Sequence, residues 1–210
     1  MTHTLRIAQA RPTDEHLRAI LGLIEEARIW LPTKGTNQWS QPWPNQPARD
    51  ERVRRGLEVG ATWVVWDKIG DKDILAATAT IATRPNPAVW SNSTCNLADL
   101  AVYAHRLITA RDYAGWGLGA ELIDWTGLRG HDGYGAEWIR IDVWASNEAL
   151  HGYYMKRGFK PCGTCPDLSY PSGQLFQKSV SEIAVPTSPL FEEYEQAPDV
   201  FATQSDLCMA

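Results

Sequence analysis

The chain lacks a long hydrophobic run. Within its 210 residues, no apolar stretch approaches the about 18 residues that a membrane-crossing helix needs, so no membrane partner is expected. Cysteine is scarce at four residues, and the amino terminus carries no apolar stretch of the export type. Free thiols and a cytoplasmic location follow as expectations. Excess basic charge is missing as well: the formal net charge is −5, which argues against a nucleic-acid binder with its basic face. Lysine and arginine are absent from 181–210, where Glu182, Glu192, Glu193, Glu195, Asp199 and Asp206 are broken up by Pro186, Pro189 and Pro198. This stretch is expected to be an acidic tail, mobile or loosely docked, behind a domain spanning 1–180.

The cysteines also lack what a metal or redox site requires. Cys162 and Cys165 form a CxxC pair, but no second pair or set of spaced histidines accompanies it, as zinc would require. The pair lies late in the chain, after Phe159, and not at a helix start, where a redox dithiol would sit. Plain hairpin residues and no metal are the expectation.

Tryptophan, by contrast, is abundant: there are 10 against 4 phenylalanines. A large apolar ring with one donor suits cores and ligand pockets equally, so composition alone leaves their roles open.

Apolar spacing sketches the elements. Leu5 to Ala10 reads as a strand. Thr13 or Asp14 caps a helix with Leu17, Leu21, Ile24 and Leu31 on one face. A loop rich in Pro, Gly, Asn and Trp follows from Trp30, then a short charged helix from Arg49 to Val59. Strands are predicted over Thr62 to Asp67, Ile74 to Ala82 and Ala101 to Thr109. A helix from about Leu118 to His131 precedes a strand over Trp138 to Trp144. Another helix, from Asn147 to Arg157, is ended by Gly158. A hairpin of Phe159 to Cys165 with Gln174 to Val180 closes the order, which is that of a mixed α/β fold. His16, His131 and His151 fall on helices and are expected to be exposed.

The chemistry concentrates at Ala114-Gly115-Trp116-Gly117-Leu118-Gly119-Ala120, a glycine loop opening a helix. Converging backbone amides and the helix dipole make such a loop an anion site. A nucleotide P-loop fails, because Ala120-Glu121 stand where Lys-Ser/Thr is required. A dinucleotide-binding turn and a bare tight turn both remain open on the glycines alone.

The flanking residues narrow this. From Leu107 to Phe159, about a quarter of the chain, the sequence resembles the GNAT superfamily of acyl-CoA-dependent N-acetyltransferases. The matching features are Leu107-Ile108-Thr109, the glycine loop after it, and then Asn147, Tyr154 and Gly158-Phe159 in register. Ala114 replaces the usual Arg or Gln, and Thr109 the usual Val. The resemblance implies a mostly antiparallel central sheet of about seven strands flanked by about four helices, with acetyl-CoA as co-substrate. It implies that Leu107, Ile108, Thr109, Ala114, Gly115, Trp116, Gly117, Leu118, Gly119, Ala120, Asn147 and Tyr154 bind acetyl-CoA, and that acetyl passes directly to an amine. Arg111 could offset the charge lost at Ala114.

On the same resemblance Tyr154 is the general acid toward the leaving thiolate, and neighbouring Tyr153 is core. For the base, strand alternation puts His105 on one face with Tyr103 and Leu107, and an imidazole suits proton abstraction near neutrality. Asp142 is the second choice. Trp30, Gln38, Trp39 and Trp43 are expected to line the acceptor pocket, with aromatic walls suited to a planar, apolar or cationic amine. A small-molecule amine is the expected acceptor. A protein amine, and a non-catalytic acyl-CoA-binding module, are the alternatives. No nucleic-acid partner is expected, and a homodimer is left open.

Overall fold

The computed structural model describes residues 4–202. One eight-stranded sheet runs through it in the order β6-β7-β5-β4-β3-β2-β1-β8. Its strands are β1 (Leu5–Gln9), β2 (Thr62–Ile69), β3 (Lys72–Ala82), β4 (Ala101–Thr109), β5 (Trp138–Val143), β6 (Lys160–Thr164), β7 (Gln174–Ser179) and β8 (Phe191–Glu193). Neighbours are antiparallel except β4 with β5 and β1 with β8. Helices α1 (Asp14–Trp30), α2 (Gln46–Glu58), α4 (Leu118–Tyr134) and α5 (Glu148–Lys156) flank the sheet, and α3 (Pro87–Trp90) is a single turn.

Local chemistry sets these elements. Thr13 caps α1, its hydroxyl accepting from the His16 amide at 3.3 Å, and Asp14 and Glu15 complement the dipole in the first turn. Leu17, Ile20, Leu23 and Ile24 are the buried stripe of α1. Helix α4 lies close on the sheet because Gly130 has no side chain: a Cβ there would sit 2.5 Å from a Val102 methyl.

The eighth strand comes from the acidic segment expected to be mobile or loosely docked. Phe191 is 4% exposed and pairs with Leu5, a burial worth about 1.5–3 kcal/mol for such a side chain. Leu5 N–H donates to the Leu190 carbonyl at 2.8 Å, and Tyr194 N–H donates to the Ile7 carbonyl at 2.8 Å. The sheet edge at β1 needed a partner, and this pairing outweighs the segment's charge and proline content.

The same segment buries His16, which had been expected to be exposed. Its Nε2 lies 2.7 Å from the Pro198 carbonyl, and its ring packs on Phe201. Burial is the main cause pulling the imidazole below its ordinary pKa.

Cys162 sits on β6, and Cys95, Cys162 and Cys165 are buried free thiols. Among the described residues no group of His, Cys, Asp and Glu could hold a metal ion. No described helix is long and apolar enough to cross a membrane.

Candidate active site

The site begins with a fault in β4. Thr80 pairs with His105 and Thr78 with Ile108, so Arg106 and Leu107 together oppose Ala79. This is a β-bulge, and Arg106 adopts φ 49°, a left-handed conformation unusual for a residue with a side chain. The bulge breaks the alternation expected for this strand. Tyr103 packs with Trp90 in one cluster. Leu107 instead turns to the α4 side, 3.7 Å from where a Cβ on Gly119 would be. Pairing of β4 with β5 ends at Ala104 opposite Ile141. Beyond it β4 follows β3 and β5 follows β7, so the two strands part.

A cleft of about 740 Å³ opens at this parting, a size usual for small-ligand sites. His105, Arg106, Leu107, Ile108, Thr109, Asp142, Asn147 and Tyr154 line it from the sheet and α5 sides, and Tyr170 from the connection between β6 and β7. Trp30, Gln38, Trp39 and Trp43 line it from the loop after α1.

That loop is tied across the cleft. Asn37 Oδ1 accepts from Trp144 Nε1 at 2.9 Å and from Ser146 Oγ at 3.0 Å, and Asn147 Nδ2 donates to Gln38 Oε1 at 2.7 Å. Asn147 also caps α5, its Oδ1 accepting from the Leu150 amide at 3.1 Å. Gln38 and Asn147, expected on opposite sides of the site, are thus hydrogen-bonded partners.

On the cleft floor His105 Nδ1 lies 3.1 Å from Asp142 Oδ1. The alignment is poor for a hydrogen bond, and Oδ1 has no well-aligned donor. The other carboxylate oxygen accepts from the Tyr170 hydroxyl at 2.6 Å. Burial is the largest influence on Asp142 and pushes its pKa up. Nearby His105 and the Tyr170 hydrogen bond together outweigh it and hold the carboxyl below its usual range. An ionised Asp142 at Nδ1 favours the tautomer with hydrogen on Nδ1, leaving Nε2 as the basic nitrogen.

Tyr154 stands on α5, 9% exposed, with its ring against Phe159 at 5.4 Å and Tyr153 at 5.3 Å. Burial raises its phenol well above the ordinary value, with a smaller push from Tyr153, so the hydroxyl keeps its proton. Tyr153 is 40% exposed, with Arg157 over its ring, and is not a core residue. It lines the cleft from a nine-residue helix whose one buried residue is Tyr154.

The glycine loop does not line the cleft. It lies beyond the end of β4, where Gly117 caps α4 at φ 80° after Gly115 at φ 85°. Ala120 and Glu121 amides both donate to the Gly117 carbonyl. Among the described residues no backbone carbonyl accepts from the amides of Gly115, Gly117, Leu118 or Gly119. Amides without a carbonyl partner at a helix start are the groups that can receive an anion. Trp116 is 45% exposed and packs edge-on against Tyr113 at 5.3 Å. Ala114 is exposed. Arg111 does not point at the loop: its guanidinium lies 3.7 Å above the Trp30 ring in the cleft.

Arg52 from α2, Arg106 from the bulge and Tyr170 from the connection between β6 and β7 are among the lining residues to which the sequence does not point. A left-handed arginine carries no residue-type signal, and nothing local marks Tyr170 as a partner of Asp142.

No family model matches the chain. The N-acetyltransferase YesJ of Bacillus subtilis (strain 168), itself uncharacterised, is 30% identical over 171 residues, covering 80% of this chain and 87% of YesJ. A GNAT-family acetyltransferase from Listeria monocytogenes 4b F2365 superposes with TM-score 0.65 at 25% identity, covering 82% of this chain and 93% of its own. The PaiA N-acetyltransferase from Thermoplasma acidophilum, solved with coenzyme A, shares the fold with TM-score 0.56 at 16% identity, over 84% of this chain and 99% of its own. The splayed mixed sheet and the glycine-capped helix are shared with these structures, and the relative at 30% identity gives the class, an acetyltransferase. The chain belongs to the GNAT superfamily of N-acetyltransferases.

Proposed function

We propose that the protein moves an acetyl group from acetyl-CoA directly to the amine of a small molecule bound in the cleft. The observation that carries this reading is the roofed cleft itself, with His105–Asp142 at one wall and Tyr154 at another. The tie from Asn37 and Gln38 to the β5–α5 junction carries the loop after α1 across the cleft, which favours a compact acceptor over an extended peptide.

In this reading the free amides of Gly115, Gly117, Leu118 and Gly119 hold the pyrophosphate of acetyl-CoA, and the unpaired edge of β4 from Leu107 to Thr109 holds its pantetheine arm. Ala114, Trp116 and Ala120 flank that cradle. Asn147 acts by fixing α5 and the roof. The amine nitrogen, after losing a proton to His105, attacks the thioester carbonyl. A C–N bond forms, the C–S bond breaks, and the electron pair leaves with sulfur. The proton that His105 takes is that of the incoming ammonium and passes on to solvent; the acylated nitrogen then loses its second proton to solvent as the intermediate collapses, and this one balances the proton that Tyr154 delivers to the thiolate and regains from solvent.

Tyr154→Phe removes only the donor. Its kcat should fall about 10²-fold or more, while acetyl-CoA affinity by calorimetry stays within error. Full turnover by this variant removes Tyr154 from the role. Coenzyme A release across a panel of small amines tests the acceptor class. Silence on the panel, with acetylation of a protein fraction, would reverse it.

A further inference from the structure

The charges lining the cleft do not match a cationic or purely apolar acceptor. Its ionised lining residues are five cations and one carboxylate, Asp142. Three of the cations are engaged. Arg49 is paired with Glu25 and Asp50, both at 2.7 Å. Lys34 and Arg111 both lie over the Trp30 ring, at 5.5 and 3.7 Å, toward the end of β4 that leads to the glycine loop. Two of the three rings expected to hold a cationic amine thus already carry the protein's own cations, Trp30 under Lys34 and Arg111 and Trp43 under Arg52 at 5.6 Å.

Arg52 and Arg106 remain. Among the described residues neither has a carboxylate within ion-pair distance. Arg106 Nη2 donates to the Arg52 carbonyl at 3.4 Å, and Arg52 donates to the Trp43 carbonyl. Each guanidinium has five N–H donors, so most are unused. The two side chains also repel one another, and burial with that repulsion lowers the Arg106 pKa to about 10. Arg106 reaches this place only by adopting φ 49°, a strain of the kind retained at functional sites. Two like charges brought together in the cleft that His105 and Asp142 also line, with most of their donors unused, suit an anion. A guanidinium fork matches a carboxylate in two parallel hydrogen bonds.

From this cluster we infer that the acceptor is a small amine that also carries a carboxylate, such as an amino acid, with Arg106 and Arg52 holding the carboxylate while the amine faces His105. This inference rests on the small-molecule reading above and narrows it. Asp142 would stand on the amine side, where its charge suits an ammonium group, and the arginines on the other, so the cleft would orient a zwitterion.

The test measures coenzyme A release with the common amino acids, their carboxamides and their decarboxylated amines, using the full chain. For the accepted side chain, kcat/KM for the acid should exceed that for the amide by about a hundredfold, since unfilled donors reject an analogue lacking their partner. Arg106→Gln should cut this acid-to-amide ratio about a hundredfold, and Arg52→Gln about tenfold, mainly through KM. Arg52 is exposed, so its variant keeps the test open if Arg106→Gln does not fold. Arg54→Gln, on the same helix but paired with Asp14, should leave the ratio unchanged. Equal use of acid, amide and decarboxylated amine, or an unchanged ratio in both arginine variants, overturns the inference and leaves the small-molecule reading standing. No release with any amine, with acetylation of a protein fraction, overturns both.

Discussion

The two ends of the site are made of different material. At the glycine loop, the proposed cofactor end, the groups on offer are backbone amides: Gly115 and Gly117 expose the chain, and Ala114 adds only a methyl group. At the acceptor end the groups are side chains from α1's following loop, α2, β4, β5, α5 and the β6–β7 connection. A contiguous heptapeptide builds one end; six separate segments build the other. The cofactor end can therefore stay constant while the acceptor end changes through single substitutions.

Substitutions can break or sharpen this contrast. The largest effect should come from the acceptor end. His105→Gln should lower kcat/KM about 10²- to 10⁴-fold and remove the acidic limb of its pH profile, with acetyl-CoA affinity unmoved by calorimetry. A profile identical to the parent's would rule His105 out as the base. The next effect belongs to the cofactor end. Gly117 is left-handed at φ 80°, and alanine there costs about 1–2 kcal/mol, so Gly117→Ala should weaken acetyl-CoA binding about five- to thirtyfold. Unchanged affinity would mean that the amides do not hold the pyrophosphate. The smallest effect tests whether side chains matter at this end at all. Ala114→Gln should change acetyl-CoA affinity by less than about threefold, since the amides are already in place. A tenfold gain would show that a side chain at this position shares in binding.

Legibility in the sequence followed the same divide. Glycines at a helix start are visible because residue type dictates which backbone conformations are cheap. Asn147 and Tyr154 were visible only through the resemblance to the GNAT pattern, and the structure has both of them on or capping α5. The Trp30–Trp43 loop could be assigned to the cleft by its composition. The bulge could not: Arg106 reads as an ordinary strand residue, and its positive φ moved Leu107 to the face opposite Tyr103. Tyr170 reaches Asp142 from 28 residues away, with no local pattern to reveal it. The strand at Phe191–Glu193 was hidden because three residues cannot show an alternation, and its pairing is dictated by the open edge of β1.

That last pairing has a consequence for how the chain is made. Leu5 and Phe191 are neighbours in the sheet yet are synthesised far apart in time. At roughly 5–20 residues per second, β1 leaves the ribosome on the order of ten to forty seconds before the strand that covers it. For that interval its outer hydrogen-bonding row is open to any passing strand, including the β1 of a nascent neighbour on the same messenger. The acidic residues that follow Phe191 arrive as the edge is sealed, and their charge discourages a second chain from taking its place.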